Sequence, residues 1–255
     1  MKRSTVSSRS KLETVLRDAL DSLLKLLFPP KCLGCGILGP KTLCDACRGE
    51  LLPYRGPACG RCGVPMSISA LLCPECKREP PPFSRAFSRS LYEGKMEGLV
   101  RRLKFQDAPQ LAEPLAQLMA EEWRERGLQS KPFDLVTAVP LSKASLSRRG
   151  YNQAALLARK LSRELGLPYR ESLRKVRRTA EQARLGREKR LTNQRGAFAV
   201  SAPLNGERVL LIDDVMTTGA TARECAITLL TGGAGEVWVY ALARGTGSQR
   251  GRISS

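Results

Sequence analysis

Between residues 32 and 76 the chain carries eight of its nine cysteines as four C-x-x-C pairs: Cys32/Cys35, Cys44/Cys47, Cys59/Cys62 and Cys73/Cys76. One tight turn aims two thiolates at one cation, and two such turns complete a tetrahedral four-thiolate site. The stretch is also an internal repeat. Cys32-Leu-Gly-Cys35-Gly36 matches Cys59-Gly-Arg-Cys62-Gly63, and Leu43-Cys44-x-x-Cys47-Arg48-x-Glu50 matches Leu72-Cys73-x-x-Cys76-Lys77-x-Glu79. Each repeat is self-contained, which favours two sequential structural zinc sites, 32/35/44/47 and 59/62/73/76; interleaved pairing is the alternative. Disulfides or an iron–sulfur cluster are the competing chemistries, but a disulfide C-x-x-C belongs to redox enzymes, not to four pairs in a loop-rich stretch. So small a module, with few large apolar residues, needs its metal to fold. The ninth cysteine, Cys225, reads as a buried thiol inside a helix.

The 255 residues include no histidine, so no Ser-His-Asp or Cys-His triad and no HExxH protease site is possible. The longest unbroken apolar run, Val237 to Ala243, is far short of the roughly 20 residues of a membrane span. No signal-peptide pattern is present, so the expectation is a cytoplasmic protein with reduced or metal-bound cysteines.

Lysine and arginine number 43 against 24 acids, a formal charge of +19. The excess is concentrated: residues 143–195 hold sixteen basic and four acidic side chains. A charge run is usually a solvated face, but one in the middle of a folded domain favours a polyanion partner, nucleic acid or a phosphorylated small molecule. Aromatic residues for stacking on bases are few, with Tyr92, Phe105, Tyr151 and Phe198 as candidates.

Four segments follow: a basic tail and amphipathic helix (1–31), the cysteine module (32–79), an α/β domain (83–245) and a flexible end (246–255), with Pro80-Pro81-Pro82 as a stiff linker. Within the third, strands are expected at Ala86–Tyr92, Leu135–Pro140, Glu171–Val176, Val209–Ile212 and Val237–Ala243. Helices are expected at Lys95–Phe105, Leu111–Glu125, Asn152–Leu165 and Ala220–Leu230. That alternation predicts a doubly wound, mostly parallel sheet.

The most informative stretch is Val209-Leu-Leu-Ile-Asp213-Asp214-Val-Met-Thr217-Thr218-Gly219-Ala-Thr221. A buried strand leads to two acids, a Thr/Gly loop and a helix. Ligands of doubly wound sheets bind at such strand ends. Loop N–H groups and a helix N-terminus suit a phosphate, and paired carboxylates suit sugar hydroxyls or hydrated Mg²⁺. No G-K-[ST] is present, which excludes a Walker P-loop. The stretch resembles the 5-phosphoribosyl-1-pyrophosphate (PRPP) motif of type I phosphoribosyltransferases. The resemblance implies that Asp213 and Asp214 hold the ribose hydroxyls while Thr217, Thr218, Gly219, Ala220 and Thr221 cradle the 5′-phosphate. It also implies a pyrophosphate loop, for which Pro140, Leu141, Ser142 and Lys143 are placed, and a mobile basic loop near residues 175–195 that includes Lys175.

Together with the cysteine module, Arg149-Gly150-Tyr151-Asn152-Gln153 and Thr179, Gln182, Arg187, Arg190, Asn193 and Phe198, this motif is similar to the ComF family of competence-associated proteins over nearly the whole chain. The resemblance implies a double zinc ribbon fused to a phosphoribosyltransferase-like domain of type I kind. It implies PRPP with Mg²⁺, incoming single-stranded DNA, and a competence helicase or other DNA-uptake proteins as partners. Arg148, Arg149, Arg174, Lys175, Arg177, Arg178, Arg187 and Arg190 are the candidate DNA contacts. Three readings compete: an active transferase with an unread acceptor, a PRPP-binding or sensing protein, and a zinc-ribbon DNA scaffold with a vestigial motif. The acceptor would be set by a hood at Tyr92 to Gln106.

Overall fold

Four apolar stretches pair as parallel strands: β1 (Arg85–Leu91), β2 (Leu135–Ala138), β5 (Arg208–Met216) and β6 (Glu236–Arg244), in the order β1-β6-β5-β2. The computed structural model describes residues 29–68, 71–176 and 196–245. The amphipathic helix expected over 12–27, both terminal tails, and Arg177, Arg178, Thr179, Gln182, Arg187, Arg190 and Asn193 lie outside the described residues.

Parallel strands need crossovers, and helices supply them. The chain runs through α1 (Asp45–Gly49), α2 (Pro74–Arg78), α3 (Gly94–Phe105), α4 (Ala112–Glu125), α5 (Lys143–Arg149), α6 (Gln153–Leu165) and α7 (Ala220–Thr231). Side chains alternate across a sheet, so Phe87, Trp238 and Tyr240 share one face. There Phe87 stacks on Tyr240 with centroids 4.3 Å apart, Trp123 of α4 lies 6.1 Å from Tyr240, and the Tyr240 hydroxyl donates to the Met119 carbonyl at 2.8 Å. Helix α6 packs beside α4, and α7 contacts β5 and β6. Its buried Cys225 interacts with Asp213, which belongs to the opposite strand parity from Tyr240's partner Ile212. Helices therefore lie on both faces, and the expected doubly wound α/β fold is what the chain adopts. Cys225 is fully buried, as expected.

Three elements differ from expectation. Strand β5 does not stop at Ile212 but continues through both acids to Met216, because Ala241 and Ala243 of β6 keep the ladder paired with Asp213 and Val215. A charged residue ends an apolar run in sequence without ending a backbone ladder. Helix α5 was not expected; Ser142 caps it, its hydroxyl accepting from the Ser145 N–H at 3.1 Å. A two-stranded antiparallel pair, β3 (Leu173–Lys175) with β4 (Phe198–Val200), stands apart from the main sheet. It buries Phe198, which removes that ring from the base-stacking candidates.

The chain divides into two compact units at Arg48/Gly49. The first cysteine cluster lies in one; the second lies in the other, with the sheet.

Candidate functional site

The thiols group sequentially, Cys32/Cys35/Cys44/Cys47 and Cys59/Cys62/Cys73/Cys76, each set lying within 4.8 Å of one another. Cys35 and Cys44 Sγ are 3.8 Å apart, as are Cys62 and Cys73 Sγ. A tetrahedral ion with metal–sulfur bonds of about 2.3 Å has sulfur–sulfur edges of about 3.8 Å, so both sets fit one zinc each. The surroundings prepare thiolates. Burial works against ionisation of Cys32, but the backbone N–H groups of Cys44, Cys35 and Gly34 outweigh it and bring the thiol down to about 6. Burial likewise opposes Cys59, and the N–H groups of Cys62, Cys73 and Arg61 bring it down to about 7. Burial pushes Cys62 up to about 11, and burial together with the neighbouring Cys62 pushes Cys76 up further. Four such thiols ionise together only around a cation.

The second constellation sits where parallel strands end. Asp213 and Asp214 are the sixth and seventh residues of β5, and both are buried. Burial, then repulsion from Asp214, pushes the Asp213 carboxyl up to about 7. Its Oδ1 accepts the Asp214 N–H at 2.9 Å, and Asp214 Oδ1 accepts the Val215 N–H at 2.6 Å. Asp213 lies against α7, where it interacts with the buried Cys225. Beyond Met216 come exposed Thr217, then Thr218, whose Oγ1 accepts the Ala220 N–H at 3.4 Å. Gly219 caps α7 at φ +79°, a left-handed conformation that suits glycine. Ala220 and Thr221 form the first turn of α7.

The loop after β2 joins this end. Val139 N–H donates to Ile212 O at 3.0 Å, so Pro140, Leu141 and Ser142 leave the sheet beside the acids, while Lys143 opens α5. The Arg-Gly-Tyr-Asn-Gln motif braces this loop. Asn152 donates through Nδ2 to Val139 O at 3.0 Å and caps α6 through Oδ1. The Tyr151 hydroxyl donates to Leu103 O at 2.9 Å, and the Arg149 guanidinium lies 4.8 Å above the ring of exposed Phe105.

Sequence reasoning missed Lys104. Its Nζ lies 3.0 Å from Asp214 Oδ1, with both side chains largely buried. Tyr92 is in electrostatic reach of the same pair. The available signal was position: Lys104 follows Val100 by four residues and so prolongs the buried stripe of α3, where lysine is otherwise disfavoured. Arg148 and Arg174 are exposed, Arg149 is half-buried, and Lys175 is half-buried over the Phe198 ring at 5.4 Å. Burial lowers the Lys175 ammonium, and the Cys225 that touches Asp213's field also interacts with it. No helix of the described residues is long and apolar enough to cross a membrane.

Residues 23–84 match the double zinc ribbon domain. The chain is 36% identical over 207 residues to the DNA utilization protein YhgH of Salmonella typhimurium, covering 79% of this chain and 90% of that one. It is 32% identical over 219 residues to competence protein F of Haemophilus influenzae, covering 84% and 95%. Among solved structures, a purine phosphoribosyltransferase from Pyrococcus horikoshii aligns with a TM-score of 0.31 and 16% identity over 57% of this chain and 93% of that one.

Proposed function

The chain belongs to the family of the DNA utilization protein YhgH and competence protein F, and from that premise we infer that it acts in DNA uptake or utilisation as a PRPP-binding protein that also engages single-stranded DNA. The observation that carries the PRPP half is the strand end itself. Two adjacent carboxylates precede a Thr-Thr-Gly loop that runs into the N-terminus of a twelve-residue helix. The acids accept from ribose hydroxyls, and the loop N–H groups and threonine hydroxyls donate to the 5′-phosphate. Val139 to Ser142, beside them, suits the pyrophosphate. Mg²⁺ in this reading arrives with the pyrophosphate: among the described residues no third acid joins Asp213 and Asp214, and Lys104 already occupies one carboxylate oxygen.

The DNA half rests on the positive field and on Phe105. This ring is 63% exposed, lies under the Arg149 guanidinium, and offers a stacking face beside a cation.

Calorimetric titration of the zinc-loaded chain with PRPP and Mg²⁺, with and without an oligodeoxynucleotide, tests both halves. Asp213→Asn with Asp214→Asn keeps the side-chain volumes and should abolish PRPP binding while two zinc ions stay bound. Undiminished PRPP affinity in that variant rejects the reading. The wild type should bind PRPP more tightly as pH rises through about 7, where Asp213 loses its proton and becomes a full acceptor. For stability the sign is opposite. The folded state holds a proton that the unfolded carboxylate releases at its ordinary lower value, so this residue's contribution weakens as pH climbs toward 7.

A further inference from the structure

Arg244 is the last residue of β6 and only 3% exposed. A buried guanidinium is expensive unless an opposite charge and hydrogen bonds compensate it. No carboxylate of the described residues pairs with it. Its Nη1 donates to the Cys62 carbonyl at 3.1 Å, and its buried Nε–H has no hydrogen-bond partner. Burial lowers the guanidinium, and the groups that oppose this are Cys62, Cys73, Cys59 and Cys76, the complete second cluster. Four thiolates around one divalent zinc retain a net charge of about −2. A buried cation with a spare donor and a buried anionic centre therefore sit together, joined at the Cys62 carbonyl.

We propose that Arg244 is the charge partner of the second zinc centre, holding the metal-loaded ribbon onto the ligand-binding end of the sheet. The tie extends one residue further. Gly245 N–H donates to Met216 O at 3.0 Å, and a Cβ on Gly245 would stand 2.9 Å from Thr217 Cγ2. The backbone that carries the guanidinium thus backs the first threonine of the Thr-Thr-Gly loop.

The test follows zinc release to a chromogenic chelator from the full chain carrying Cys32→Ser, so that the second site supplies the signal. Groups that support metal ligands typically contribute 10- to 100-fold in affinity, so Arg244→Gln should loosen this zinc by roughly that factor. Arg244→Lys retains the charge and should hold zinc within a few-fold of the parent. Unchanged release in R244Q, or R244K as loose as R244Q, overturns the proposal. Should R244Q fail to fold, R244K decides alone: retained zinc supports the pairing and lost zinc rejects it. None of these readouts depends on PRPP, so they stand apart from the functional reading above.

Discussion

Around Cys32 and around Cys59 the backbone makes the same turn. Cys32 N–H donates to Ile37 O and Cys59 N–H to Val64 O; Gly36 N–H returns to Cys32 O and Gly63 N–H to Cys59 O; Leu33 meets Thr42 as Gly60 meets Leu71. The metal chemistry is duplicated down to individual hydrogen bonds, and the surroundings are not. Ile37 is 69% exposed, whereas its counterpart Val64 packs on the buried second cluster with Met66 and Leu72. A Cβ at Gly36 would meet nothing, while one at Gly63 would stand 2.6 Å from Ala86 O on the edge strand. That strand also bonds the ribbon directly, Ala86 N–H donating to Arg61 O at 2.7 Å. The same motif, 27 residues later, builds a ribbon that closes the edge of a sheet. The cysteine spacing specifies the ion; the residues between the pairs specify what the ion holds together.

The most direct way to break this contrast is to remove one zinc at a time. Both tryptophans, Trp123 and Trp238, lie in the sheet's aromatic core, so the tryptophan band of the near-ultraviolet circular dichroism reports on the α/β domain. Cys59→Ser should lower that domain's melting temperature by on the order of 10 °C, since structural zinc contributes many kcal/mol and a few of these reach the sheet. Cys32→Ser should leave the same transition within about 2 °C while bound zinc falls from two per chain to one. Equal shifts would show that the second zinc has no special hold on the sheet.

The glycines sharpen the contrast at a smaller scale. Gly36→Ala forces a side chain into φ +81° and should cost about 1 kcal/mol, confined to the first ribbon. Gly63→Ala meets the same conformational penalty at φ +68° and also displaces Ala86, adding about 1–3 kcal/mol that chemical denaturation of the α/β domain should detect. A further consequence concerns ligand affinity and rests on the PRPP reading. Loss of the second zinc removes the support behind Gly245 and Thr217 and should weaken PRPP roughly ten-fold in calorimetry, within the usual range of coupling between sites. Loss of the first zinc should leave PRPP affinity unchanged.

Much of this was legible in the residues because local rules agreed with the global fold. The four C-x-x-C pairs and their repeat gave two sequential clusters, and apolar runs alternating with amphipathic ones gave the parallel α/β sheet. The Asn152 cap and the Gly166 stop bound α6 as sequence rules say they should. What escaped was non-local. Lys104 reaches Asp214 across 110 residues of chain, a pairing that no short-range pattern encodes. Arg244 looks like an ordinary charged residue after an apolar strand until the second cluster is folded against it. The two acids read as the end of β5 because charge signals a boundary in sequence, whereas the ladder with β6 runs on beneath them.

The smallest expected effect asks whether either ribbon is the DNA surface. Both ribbons carry exposed apolar residues, Ile37 and Leu38 in the first and Ile68 and Leu71 in the second, and Cys32→Ser removes the first. If instead phosphates are neutralised by the basic stretch of the α/β domain, affinity for a single strand falls with salt through counterion release, at about 0.7 log units per contacted phosphate. A footprint of about four to six contacts gives a log–log slope of roughly −3 to −4. Of the four candidates among the described residues, Arg148, Arg149, Arg174 and Lys175, the exposed ones are Arg148 and Arg174, so Arg148→Ala with Arg174→Ala should flatten the slope by about 1.4. Cys32→Ser should not move it. Fluorescence anisotropy of a labelled oligodeoxynucleotide across a salt series measures both variants on one scale. A slope unchanged in the double arginine variant, together with weakened binding in Cys32→Ser, would transfer the DNA surface to the first ribbon. The two clusters would then differ in function as well as in surroundings, one recruiting DNA and the other closing the sheet.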